Sequence, residues 1–195
     1  MYALCRNGKG NYQGFSSNYN GESDKIDRKS IKINGLSTCE VDYKCLHINL
    51  AYNLCNKQFS GDAYDIDGYN RKTVKRALLI MLNSKSYNKA IKTVMFYDSL
   101  EYYEAKDLID AIMHKHEPLK QLLFNNNTHC FGLELQNIDS MIMRDVLIKL
   151  KHLNIPALPV HDSVICPHTY RRVVERIMTA VYKLYMGYDI TVETK

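Results

Sequence analysis

Apolar and polar positions along this chain fall into stretches with two different periods. Residues 1–29 mix Gly, Asn, Ser and Tyr with no sustained period and read as a loop or extended arm. Runs 30–33 and 38–42 are strand-like and flank Asn34-Gly35, a pair that favours a tight hairpin turn, so Asp42 is expected at a strand end. From 46 to 54 the apolar residues recur at helical spacing, which sets a helix directly after that strand. A polar, acidic connection with two glycines spans 61–70. Beyond it a helix is expected over 71–82 and, past an interruption at 84–86, a second one to about Val94. Residues 104–114 place Leu108, Ile109 and Ile112 on one side of an amphipathic helix, and Pro118 marks a break after it. A polar loop at 125–128 precedes a long helix carried by Leu135, Ile138, Met141, Ile142, Leu147 and Leu150 and ended by Pro156. Short apolar runs at 157–160 and 164–166 enclose His161-Asp162-Ser163, a second tight hairpin with a polar tip. Residues 171–186 form another amphipathic helix capped by Gly187, and 189–193 alternates like a last strand. No internal repeat or low-complexity tract is present. This order of elements predicts an α+β fold, an antiparallel sheet made of hairpins and packed on helices.

Composition narrows the class without naming it. At 195 residues one domain, with or without a helical appendage, is the expectation. The longest uninterrupted apolar run, 77–82, is far shorter than a bilayer requires, and no apolar segment follows a basic start, so an intracellular protein that does not meet a membrane is expected. The cysteines Cys5, Cys39, Cys45, Cys55, Cys130 and Cys166 are scattered singly and read as reduced thiols. Cys130 with His129, or Cys166 with His168, is a weak zinc candidate, because neighbours on a strand face opposite ways and no second ligand pair is visible. Net charge is +5, from 26 basic and 21 acidic residues, which is compatible with a polyanionic partner and does not require one. Its distribution says more: Lys72, Lys75, Arg76, Lys85, Lys89 and Lys92 crowd one helical region, just after Asp62, Asp65 and Asp67.

Two acidic residues stand out, Asp42 in EVDY and Asp162 in VHDS, each at the end of a hairpin strand in apolar surroundings. Taken singly, each reads more readily as a turn aspartate bonding its own backbone. Taken together with the basic helix, they match what phosphoryl transfer needs: divalent ions held by carboxylates, and cations along the phosphates. Arg71 and Lys75 lie one turn apart on one helix face, with Arg76 beside them, and the bland alternative for all three is a solvated basic face.

Four segments resemble the family A DNA polymerases. VDYKCLHINLAY is similar to their first palm motif, with Asp42 matching the metal-binding aspartate. RKTVKRALLIMLNS is similar to their fingers helix, with Arg71 and Lys75 matching its phosphate contacts, and its start also resembles the phage-type single-subunit RNA polymerases. LQNIDSMIM looks like the palm helix whose glutamine, here Gln136, touches the primer-template minor groove. LPVHDSVIC resembles the third palm motif, a hairpin presenting His161 to the primer end and Asp162 to the metals. The four occur in the family's order over roughly residues 30–186, closest to the reduced branch encoded by phages and mobile elements.

The resemblance implies a template-directed nucleotidyltransferase, a minimal DNA polymerase or primase, that uses two Mg²⁺ or Mn²⁺ ions held by Asp42 and Asp162. It implies a palm from 30–60 and 125–195, a reduced fingers insertion at 61–124, and DNA primer/template and nucleoside triphosphates as partners. Arg71, Lys75 and more weakly Arg76 would bind triphosphate, and Glu40 is a further acid on the strand of Asp42. Three positions depart from the family pattern and bear on the nucleotide site: His47 replaces the glutamate that blocks a sugar 2′-hydroxyl, and Leu79 and Asn83 replace an aromatic or methionine and a tyrosine. Ser163 stands where replicative enzymes have a second acidic residue, as in the RNA polymerase branch. With no exonuclease segment and little that could form a thumb, weak grip on duplex, or dependence on an accessory protein or a thumb supplied elsewhere, is expected. The alternative is a catalytically inactive palm kept as a nucleic-acid-binding replication accessory subunit, which His47, Leu79 and Asn83 would suit.

Overall fold

A computed structural model describes residues 28–124 and 131–195. Most of the arm, the polar loop at 125–128 and the His129/Cys130 pair lie outside the described residues. The chain is α+β, with six α-helices and five strands among the described residues.

The sheet is antiparallel and is built around β2 (Leu36–Tyr43). β1 (Lys32–Ile33) joins β2 through Asn34-Gly35, both with positive φ (52° and 77°), the backbone that a two-residue hairpin turn requires and that Asn and Gly tolerate best. Along β2, Cys39, Val41 and Tyr43 are buried while Thr38, Glu40 and Asp42 stay partly exposed, so strand alternation puts both acids on one face. β3 (Leu158–Val160) and β4 (Ser163–Pro167) form the second hairpin, with His161-Asp162 as its two-residue turn and His161 at φ 52°. β4 pairs along the other edge of β2, setting Asp42 opposite Ser163 and Cys39 opposite Cys166. A last strand, β5 (Val192–Thr194), adds to the end of β2 with Asp42 opposite Glu193.

Helices cover the inner face. α1 (Leu46–Leu54) follows β2 almost at once, and the buried amide of Asn49 donates to the Lys44 and Cys45 carbonyls at its start. α5 (Phe131–His152) packs on α1 and on α6 (Arg171–Met186), and α6 lies against β2 and β4. There Tyr43 donates to the Met178 carbonyl (2.7 Å) and Tyr182 to Asn53 (2.6 Å), so two buried hydroxyls are satisfied without water. α2 (Arg71–Leu82), α3 (Tyr87–Asp98) and α4 (Tyr102–Lys115) pack on one another through Val74, Leu78, Ile91, Val94, Leu108 and Ile109.

Some boundaries differ from the sequence expectation for local reasons. α4 starts earlier because Glu101 and Glu104 form a reciprocal capping box. α3 runs on to Asp98, where Ser99 adopts a left-handed backbone. α5 starts four residues before Leu135, at Phe131. β5 is shorter than 189–193 because Asp189 is drawn back by Lys183 and the Thr191 carbonyl accepts from Lys44, leaving pairing to Val192 onward.

Candidate active site

Asp42 and Asp162 meet because of strand register. Asp42 faces Ser163 across β2 and β4, Asp162 precedes Ser163 in the turn, and the Tyr43 amide donates to the Asp162 carbonyl at 3.5 Å. Asp162 responds to its surroundings: burial pushes its carboxyl up, the negative charge of Asp42 pushes the same way, and Asp139 adds to it, while His47 opposes. Asp42 accepts from the Lys195 ammonium with one carboxylate oxygen, and its other oxygen, Oδ1, is buried with no hydrogen-bond partner.

Asp139, on α5, is a member of this cluster that sequence reasoning missed. Its Oδ2 lies 3.4 Å from His47 Nε2 and its Oδ1 is buried without a partner. The available signal was its place one turn after Gln136 on the same helix, but what it would face is a tertiary matter. Glu40 shares the face of Asp42, accepts from the Ser163 hydroxyl (2.6 Å), and pairs with Arg28 (3.1 Å). Gln136 is exposed on α5 and His161 is exposed at the tip of the turn.

The cations of α2 divide into two groups. Arg71 forks onto Asp62 (Nε to Oδ2 3.0 Å, Nη2 to Oδ1 3.2 Å), and both Arg71 and Lys75 lie over the ring of Tyr64, at 5.0 and 5.6 Å from its centroid. Arg76 points elsewhere, to the Asp98 carboxylate (3.0 Å) and the Tyr97 carbonyl (2.9 Å) of α3. With Leu79, Asn83, Lys89 and Tyr97 it lines an open groove of about 500 Å³ between α2 and α3. Asn83 bonds the Leu79 carbonyl and lies so close to α5 that a Cβ at Gly132 would sit 2.2 Å from its Oδ1. Cys45, three residues after Asp42, interacts with the Tyr64 side chain.

Among the described residues no group of three or more His, Cys, Asp or Glu side chains is arranged to hold a metal ion, so a metal site here rests on Asp42 and Asp162. Their hard oxygen donors suit Mg²⁺ or Mn²⁺, and the buried, unpartnered Oδ1 of Asp42 is the kind of atom a cation satisfies. Cys166 turns away from such chemistry: it is buried 4.0 Å from Cys39, and burial pushes its thiol up to about 12.

No protein-family model matches the chain, and no curated protein matches it. Among solved structures, the POL domain of Pol1 from M. smegmatis, in complex with DNA primer-template and dNTP, aligns with 83% of this chain and 39% of its own length, at 11% identity and a TM-score of 0.46. A likeness of that degree transfers neither activity nor site residues.

Proposed function

We propose that the chain is a template-directed nucleotidyltransferase of minimal DNA polymerase or primase type, joining nucleoside triphosphates to a 3′-hydroxyl. The observation that carries this reading is the convergence of Asp42 and Asp162 from distant parts of the chain onto one end of the sheet, close enough for one to raise the other's carboxyl. The four ordered motifs of the sequence support it. In this reading residues 30–60 and 125–195 act as a palm and 61–124 as reduced fingers.

Asp42 and Asp162 would hold the two Mg²⁺ or Mn²⁺ ions, and such ions would supply activation of the attacking hydroxyl and neutralisation of the departing pyrophosphate. Lys195, which pairs with Asp42, would have to release that carboxylate for it to serve as a metal ligand. Arg71 and Lys75 draw the β- and γ-phosphates along α2, and Leu79 and Asn83 bound the space beside the incoming nucleotide. His47 is held by Asp139 at the edge of the carboxylate pair and contacts the sugar. His161 meets the primer terminus, and Gln136 orients the duplex without reading sequence.

A second reading is an inactive palm that binds nucleic acid as an accessory subunit. It is favoured by the Lys195 ammonium seated on Asp42 and by the lack of a third ligand among the described residues. Primer extension and de novo synthesis with Mg²⁺ or Mn²⁺, using ribo- and deoxyribonucleotides, separate the two. The polymerase reading expects incorporation that drops by about a thousandfold or more in Asp42→Ala and in Asp162→Ala, with Mn²⁺ binding by electron paramagnetic resonance lost in parallel. A wild-type chain that incorporates nothing with either metal leaves the accessory reading standing.

A further inference from the structure

Arg71 and Lys75 are not two independent surface cations. Both lie over the ring of Tyr64, which is only 7% exposed and is fixed in the core beneath them. A buried ring under two cations limits where each can swing, and its π face partly offsets their mutual repulsion. Two residues earlier, Asp62 accepts the Tyr64 backbone N–H at 2.9 Å and turns both carboxylate oxygens to the Arg71 fork. The other end of the loop is tied down by Lys115, which donates to the Asp65 carbonyl at 2.5 Å. One short turn therefore supplies both a floor for the two cations and a counter-ion for one of them.

A carboxylate on a guanidinium fork uses the same two parallel N–H donors that a phosphate uses. We propose that Asp62 is a resident stand-in for a phosphate group, holding the Arg71 fork aimed until the triphosphate of an incoming nucleotide displaces it, and that Tyr64 is the positioning residue that keeps Arg71 and Lys75 together over one ring. The exchange is cheap, because the pair is open to water (Arg71 60% and Asp62 41% exposed) and exposed ion pairs contribute little net stability. The inference rests on the nucleotidyltransferase reading only for the identity of the triphosphate as a nucleotide. The anion chemistry stands on the contacts themselves.

Calorimetric titration of the full chain with inorganic tripolyphosphate tests it. Asp62→Asn removes the competing charge and is expected to tighten tripolyphosphate by about three- to tenfold, a gain that a purely structural role for Asp62 would not produce. Tyr64→Phe keeps the ring and is expected to bind within about twofold of wild type, whereas Tyr64→Leu weakens binding by about fivefold or more. Because Tyr64 is buried, Tyr64→Leu is interpreted only beside an unchanged circular dichroism spectrum, and the exposed Asp62→Asn variant decides the matter by itself. Equal or weaker binding by Asp62→Asn overturns the inference and leaves the polymerase reading intact. A wild-type chain that does not bind tripolyphosphate overturns both the inference and the triphosphate contacts of that reading. A gain in Asp62→Asn without any nucleotide incorporation sustains the inference while the polymerase reading fails.

Discussion

His116 is wholly buried, and the two partners of its ring fix its tautomer. Nε2 lies 2.9 Å from the Ala63 carbonyl, which can only accept, so Nε2 carries the proton and Nδ1 accepts from the Tyr52 hydroxyl at 3.0 Å. Burial pushes its pKa down. The unfolded chain, with an ordinary histidine value of about 6.5, therefore takes up a proton before the folded one does. The stability this residue contributes is fully present above that value and is lost as pH falls below it, so urea midpoints should drop between pH 7.5 and 5.5. In His116→Gln that acid-side drop should shrink, and His116→Ala should cost about 2–3 kcal/mol at neutral pH by stranding two buried polar groups. Nothing in the local pattern around His116 announced this role, since the ring joins α1, the acidic loop and α4 across long stretches of chain. The same limit hid the placement of Asp139, whereas the hairpin positions of Asp42 and Asp162 were legible because turn chemistry beside short apolar runs is a local signal.

At the scale of elements, the boundaries read most accurately were those with strong punctuation. α1, α2 and α6 begin and end where expected, with Asn70 capping the Lys72 amide and Gly187 taking φ 75° after Met186. β5 was misjudged because its length is set by pairing with β2 and by the Lys183–Asp189 contact, and alternation alone cannot see either. The β3–β4 turn is locally costly, since His161 has a Cβ yet adopts φ 52°. His161→Gly should relieve that and raise unfolding free energy by about 0.5–1 kcal/mol in urea titrations. If the ring meets the primer end as proposed, the same variant should incorporate nucleotides more slowly. A single exchange would then move the two measurements in opposite directions, and a variant no more stable than wild type would show that the turn is unstrained.

For the molecule as a whole, the excess of five positive charges matters through where it sits. Lys85, Lys89 and Lys92 are exposed, and Lys89 lines the α2–α3 groove with Arg76. Affinity for a single-stranded oligonucleotide should fall by about tenfold or more between 50 and 200 mM salt, as expected for roughly three neutralised phosphates, and joint replacement of the three lysines by alanine should flatten that slope. A salt-independent affinity would contradict a phosphate-led interaction. Among the described residues no helix is long and apolar enough to cross a membrane. The fold class was legible from the alternation of periods, but how two hairpins 120 residues apart zip together was not. A chain zipped one position out of step along β2 and β4 would turn Asp42 inward and thrust Val41 and Tyr43 into water. Such a chain has no half-competent version, so, if the chain incorporates nucleotides as proposed, specific activity in a refolding mixture would count correctly aligned molecules and report nothing about the rest.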